Sequence, residues 1–308
     1  MGATKIEWAT AVWNPVTGCE PCASGCAHCY AKRMATRLAG RFGYPADEPF
    51  KVTLHPKRLG EPLRWKKPRR VFTVSMGDLF HVDVHYEFVD RVFAAMSDTP
   101  RHTFLILTKR PDRMERYLRT EYRERSVWFA PLPNGEHFNG PRVWPLRNVW
   151  LGTSVSTQPE LDEAVPHLLR CPAAVRFLSL EPLIEAVDLI HPQRRWIGPA
   201  TQVGGMHDGI DWVIVGGESG PGARQCHVEH IRSVVRQCRA ADVPPFIKQL
   251  GANSVETQAG LDYWLELHDP KGADPSEWPE DLRDARKFPA AKDPACRCWE
   301  KPTIEETL

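Results

Sequence analysis

Four of the nine cysteines of this 308-residue chain fall within eleven positions, in "TGCEPCASGCAHCYA" (17–31): Cys19, Cys22, Cys26 and Cys29. Thiols packed this closely serve as disulfides, metal ligands or nucleophiles, and the redox compartment decides among these. The stretch "MGATKIEWATAVWNP" lacks the basic-then-apolar pattern of a secretory leader, and Ile6 breaks the myristoylation pattern. No run of about 18 apolar residues is present, so no membrane span is expected. A cytoplasmic protein with reduced thiols follows, and the cluster reads as metal-binding or catalytic. Two C-x₂-C pairs look at first like a Cys₄ zinc site. Structural zinc sites commonly separate their pairs by a dozen or more residues, whereas only three intervene here. The familiar electron-transfer spacings of ferredoxins do not match either.

Such a loop needs elements to hold it. Apolar runs recur at "RVFTVSM" (70–76), "HTFLILTKR" (102–110), "NVWLGTSVS" (148–156), "AVRFLSLEP" (174–182), "DWVIVGGESG" (211–220) and "PPFIKQLG" (244–251). They are apolar throughout rather than alternating, as in parallel strands covered on both faces. Amphipathic stretches such as "YEFVDRVFAAMSDTP" (86–100) and "HIRSVVRQCRAADV" (230–243) lie between them and predict helices. Each run ends in polar or small residues. Six such ends converging on one mouth fit an α/β barrel, whose active site lies at the C-terminal ends of its strands, better than an open sheet. The expectation is a partial or full (β/α) TIM-like barrel of about six or seven parallel strands over residues 1–252, with insertions at 120–147 and 191–210. A C-terminal extension of short helices and loops would follow over 253–308.

A third reading of the cysteines drops one of them. Cys22, Cys26 and Cys29 spell C-x₃-C-x₂-C, the motif of radical S-adenosylmethionine enzymes. In these, three thiolates hold a [4Fe–4S] cluster, and the open iron chelates the amino acid end of S-adenosylmethionine. The flanking motifs narrow the match. "IEWATAVWNPVTGC", "GCAHCYAKRMA", "PLRWKKPRRVFTVSMGDLFH", "HTFLILTKRPDRM", "RFLSLEPL", "DWVIVGGESGPGAR" and "FIKQLG" together resemble the phage-associated three-Cys-motif family of radical-S-adenosylmethionine-like proteins, itself distantly similar to spore photoproduct lyase. The likeness covers residues 5 to about 252, with an echo at "RKFPA" (286–290). It implies a radical-type barrel with the cysteine loop after its first strand, an external one-electron donor, and a 5′-deoxyadenosyl radical that abstracts hydrogen. The family spacing C-x₆-C-x₂-C maps onto Cys19, Cys26 and Cys29. Cys26 and Cys29 thus belong to both assignments, while Cys19, placed first, and Cys22 compete for the third position. His28 stands where the general motif usually has an aromatic.

Further candidates lie at the strand ends. "SMGDLFH" sits where the wider superfamily has its Gly-Gly-Glu stretch for the methionyl amine; Gly77 permits close backbone approach, and Ser75 or Asp78 could accept from the amine. The chain's own "GGE" (216–218) comes too late to be that motif. Thr153 and Ser154 could contact ribose or carboxylate, or merely cap a strand. Glu181 and Glu218 would hold charged partners, with Lys109, Arg110 and Lys248 available, or polarise a substrate. Cys171, Cys226 and Cys238 read as packing residues, and Cys296-x-Cys298 as a weak isolated motif.

Net charge is only +1, yet residues 1–150 hold 24 Lys/Arg against 15 Asp/Glu, and the remainder 16 against 24. This asymmetry raises the possibility of a polyanion, and of a nucleic-acid substrate in repair or modification, with Trp13, Trp65 and Phe80 as stacking or core aromatics. The competing expectation is a zinc-stabilised nucleic-acid-binding module without catalysis.

Overall fold

The computed structural model describes residues 4, 6–119, 127, 130–131, 135, 144–191, 194–198 and 209–290. Seven parallel strands follow one another across a single sheet in chain order: β1 (Ala11–Trp13), β2 (Arg70–Thr73), β3 (Thr103–Thr108), β4 (Val149–Val155), β5 (Val175–Leu180), β6 (Trp212–Gly216) and β7 (Pro245–Gln249). Parallel neighbours need crossovers, and crossovers are right-handed. When every one steps in the same direction, all lie on one face of the sheet. A doubly wound sheet reverses direction and covers both. The observed order is therefore that of a barrel, and β1 and β7 remain its two edges: a partial, TIM-like α/β barrel.

The crossovers contain α1 (Tyr30–Arg37), α2 (Tyr86–Ser97), α3 (Pro111–Leu118), α4 (Gln158–Leu169) and α5 (Val228–Ala240). Phe88, Val92, Phe93 and Met96 of α2 join Val71, Ile106, Leu151 and Val213 in the larger core. Residues of opposite parity on the same strands, Phe72, Leu105, Phe177, Ile214 and Phe246, form a second cluster with Trp8 and Trp212. Side chains alternate across a strand, so a sheet buried on both faces needs apolar residues at both parities. Among the described residues no helix contributes to the second cluster, and aromatic rings fill it: Trp212 stands 5.7 Å from both Phe177 and Phe246. Gly152 makes room for it, since a Cβ there would lie 2.5 Å from the Phe177 ring.

All six expected strands form, with shorter bounds, and β1 adds the seventh. β2 ends at Thr73 because Val74 adopts φ +60°. A β-branched residue enters that region only when its surroundings impose it.

The segment after β7 holds the expected short helices and loops, as 3₁₀ turns at Pro275–Glu277 and Glu280–Leu282, and departs from the expectation in one respect. Ser254–Gln258 and Leu261–Trp264 pair as an antiparallel hairpin, and Ser254–Val255 add in parallel to Cys226–His227. The two-residue link Ala259–Gly260 has both φ angles positive, the conformation that suits a tight hairpin. Alanine in place of the usual Asn or Asp hid this turn. Further on, the backbone of Ala285 and Lys287 bonds to the open edge of β7: Ile247 N–H donates to Ala285 O at 2.7 Å, and Lys287 N–H to Pro245 O at 2.9 Å. Phe288 lies against Trp212 and Phe246. The motif echo at 286–290 thus belongs to the aromatic face of the sheet.

Most of the insertions at 120–147 and 191–210, and Cys296 and Cys298, lie outside the described residues. No helix among the described residues is long and apolar enough to cross a membrane.

Candidate functional site

The cysteine loop leaves β1 through a short pairing of Val16–Thr17 with Thr53–Leu54. Gly18 follows at φ +86°, where an added Cβ would lie 2.2 Å from Lys51 O. Its N–H donates to Met76 O at 2.9 Å, and a Cβ on the facing Gly77 would lie 2.7 Å from Gly18 O. The loop is thus joined to the end of β2 by bare backbone, which only glycine allows. Cys19 N–H then donates to Phe50 O at 3.1 Å.

The loop next turns across the mouth through a single 3₁₀ turn, Ser24–Cys26. Glu160, in the first turn of α4, accepts from Ser24 N–H at 2.8 Å, Ser24 Oγ at 2.7 Å and Ser156 N–H at 2.8 Å. Gly25 lies flat on the strand ends: a Cβ there would be 2.6 Å from Ser156 Oγ and 3.2 Å from Lys109 Nζ. On the other flank, His28 Nδ1 lies 2.9 Å from Glu218 Oε2. Arg224 bonds the same carboxylate through Nη2 at 2.8 Å and its own N–H at 2.8 Å, and donates from Nη1 to Ser24 O at 3.1 Å. The Tyr30 hydroxyl donates to Ser75 O. The ends of β2, β4 and β6 all grip one loop.

The thiols differ in state. Cys22 donates to Cys26, and this bond, with help from the Cys22 and Ala23 N–H groups and the Lys109 charge, outweighs burial and brings Cys26 down to about 5. The same bond raises Cys22. The shift is toward the thiolate, the form that binds metals. Cys19 is raised, first by burial and then by the Asp78 charge, although Arg110 Nη1 stands 3.4 Å from its sulfur. Among the described residues no three Cys, His, Asp or Glu side chains already surround a common point. The donors are soft thiols gathered on one loop and free of disulfides, a chemistry that fits an iron–sulfur cluster.

Most of the other expected residues serve one another. Asp78 is buried and accepts from Thr108 Oγ1 at 2.7 Å, Phe80 N–H at 2.9 Å, and Lys109 N–H and Arg110 Nη1 at 3.2 Å. Ser75 Oγ bonds Asn14 Oδ1 at 3.2 Å. Thr153 Oγ1 donates to Thr108 O across the strands at 3.0 Å. Ser154 Oγ accepts from Lys109 Nζ at 2.7 Å and donates to Glu181 O at 3.2 Å. Glu181 pairs with Lys248 at 3.0 Å and accepts from Ser179 Oγ. Glu218 takes Arg224 and His28 in place of Lys109, Arg110 and Lys248, the partners first considered for it. Burial alone would raise its carboxyl, but those bonds prevail and hold it at about 2.

Trp13 and Phe80 are fully buried and are core residues, not stacking platforms, and Trp65 packs partly buried against the same core. Cys171, Cys226 and Cys238 are buried and each is pushed up to about 12 by burial, as packing residues should be.

Glu160 and Arg224 were missing from the sequence reading. Glu160 had a signal, Thr157-x-x-Glu160 ahead of an apolar helix. Its carboxylate goes to the loop as well as to its own helix end.

Fold and site together define a partial α/β barrel that carries a clamped cysteine loop across the C-terminal ends of its strands. The chain belongs to the family described as protein of unknown function DUF5131, whose model matches residues 3–299. No curated protein matches it. A solved structure described as spore photoproduct lyase complexed with dinucleoside spore photoproduct is similar at a TM-score of 0.38 and 8% identity, over 87% of this chain and 71% of that one.

Proposed function

We propose that this chain is a radical S-adenosylmethionine enzyme of the three-Cys-motif kind, with the 1–252 barrel as its catalytic part and 253–308 as an extension. The observation that carries the reading is the loop itself: four free thiols on one loop, fastened across the strand ends where barrel enzymes do their chemistry. A [4Fe–4S] cluster there would supply reductive cleavage of S-adenosylmethionine to a 5′-deoxyadenosyl radical, given one electron from an external donor, for hydrogen abstraction from a substrate at the mouth.

Cys26 and Cys29 are two of the ligands. Cys19 is the third, supported by its backbone: it is half-buried and fixed between the Gly18–Met76 and Cys19–Phe50 bonds, as a well-positioned ligand should be. Cys22 is exposed, and its thiol, raised by its bond with Cys26, is the spare one. Glu160, His28, Glu218 and Arg224 hold the loop in place, while Lys109, Ser154, Glu181 and Lys248 line the polar floor beneath it.

Anaerobic reconstitution with iron and sulfide tests the reading. A brown protein with about four iron per chain is expected, and it should release 5′-deoxyadenosine with dithionite and S-adenosylmethionine. Cys19→Ala should lose most of the iron and Cys22→Ala should keep it; the reverse pattern would exchange the two assignments. A colourless protein holding one zinc and no iron would overturn the radical reading.

A further inference from the structure

The basic excess of the first half of the chain has a definite address. Residues 21–70 contain twelve Lys/Arg and three Asp/Glu, and no acidic residue occurs between Glu20 and Asp47. The uninterrupted part is the cysteine loop, α1 and the turn after it. α1 buries little more than Ala31 and Ala35, and presents Lys32, Arg33 and Arg37 to solvent, followed by Arg41. None of these four cations has a carboxylate partner among the described residues.

Large apolar groups stand among them. Tyr30, immediately after Cys29, buries its hydroxyl on Ser75 but leaves half of its surface exposed; Met34 is 43% and Phe42 74% exposed. Phe42 adopts φ +53°, between Gly40 at +70° and Gly43 at +83°. A bulky residue at positive φ costs on the order of 1–3 kcal/mol, which glycine at the same place would avoid. Burial does not explain it, because the ring is in solvent. The backbone there is anchored from below, with Arg58 bonding to Asn14 O and Phe42 O. The turn therefore holds an aromatic ring outward at a steric cost.

We propose that this face, from Tyr30 along Arg33, Met34 and Arg37 to Phe42, binds single-stranded nucleic acid and leads it to the cysteine mouth. Cations without carboxylate partners, on the helix and at Arg41 beyond it, match a phosphodiester backbone. Exposed rings interleaved with them match unstacked bases, which any aromatic face can receive. A membrane or an acidic protein would satisfy the charge, but neither accounts for a single rigid ring presented beyond the end of the helix. As a substrate assignment the proposal rests on the radical reading of the mouth; as a binding site it does not.

Fluorescence polarisation with a labelled 12-nucleotide DNA or RNA, at several salt concentrations and on protein with and without iron, tests it. Wild-type protein should bind in both metal states. Phe42→Gly should keep or raise the melting temperature and weaken binding roughly 5- to 100-fold. Arg33→Ala with Arg37→Ala should lower the slope of log K against log salt by about 1.4, at roughly 0.7 per single-strand phosphate contact. Unchanged affinity in both variants overturns the proposal. So does binding to anionic vesicles, or to base-free heparin, that is as tight as to oligonucleotide and equally reduced in the Phe42→Gly protein. Failure to assemble a cluster would remove the radical reading alone, and loss of oligonucleotide binding the nucleic-acid site alone.

Discussion

Two carboxylate–arginine pairs stand at the mouth, and their chemistry is the same while their work is not. Asp78, at the end of β2, faces inward: Arg110, Thr108 and the Phe80 and Lys109 amides all converge on it, and it joins β2 to β3. Glu218, at the end of β6, faces the loop: one oxygen meets His28, and its partner Arg224 reaches on to Ser24. The first pair builds the scaffold and the second attaches the cysteine loop to it. A strand-end acid is thus assigned by what its arginine touches next.

The largest effect should come from breaking the scaffold pair. Asp78→Ala leaves Arg110 charged and half enclosed and frees two buried donors, and should destabilise the protein by about 3–5 kcal/mol, read as a lower urea midpoint. A loss under about 1 kcal/mol would erase the distinction between the two pairs.

Glu218→Ala should cost less, about 1–2 kcal/mol, because Arg224 keeps contact with water. Its effect should concentrate on the loop: reconstituted protein should lose iron during gel filtration faster than the Asp78→Ala variant, despite being the more stable of the two. Iron loss that simply follows stability would show that Glu218 is scaffold as well.

The smallest effect sharpens the comparison from outside the mouth. Glu115 on α3 is held down to about 2, first by Arg170, then by His167 and Arg119 against the opposing effect of burial. A depressed carboxyl contributes stability above its unfolded value of about 4.3 and loses it as pH falls toward 2. Arg170 and Arg119 are largely exposed, so screening leaves a modest term. Glu115→Gln should therefore be slightly less stable than wild type at pH 7, with the deficit closing between about pH 5 and 2, which flattens the acid limb of the stability-against-pH curve. An unchanged acid limb would mean that solvent already cancels the pair.

Much of the fold was legible because buried parallel strands write themselves as unbroken apolar runs, and because polar ends recurring at one position of each run require a common mouth. β1 was harder, since three residues give no periodicity. The hairpin at 254–264 was hidden by alanine in its turn and by an outer strand with polar and apolar residues equally exposed. At the site, residue type located the metal donors, but not their partners. Nothing in the sequence distinguishes Asp78, locked among donors from its own sheet, from Glu218, locked to a loop some 190 residues earlier, because both are acids at strand ends. Glu160 was readable as a helix cap, and its second task depends on a turn whose position only the fold supplies.

The bonds from Ala285 and Lys287 to β7 have a consequence for how the molecule behaves in a crowd. A sheet that does not close has two margins, and each invites a stranger's strand. At β1 the margin is only three residues long. At β7 the chain returns more than thirty residues later to occupy the place itself, and Arg286 caps the carbonyls of Ile247 and Lys248 as it does so. The segment that looks most like an appendage thus covers that margin, and a polypeptide ending before Ala285 would uncover Trp212 and Phe246 and offer the edge of β7 to its neighbours.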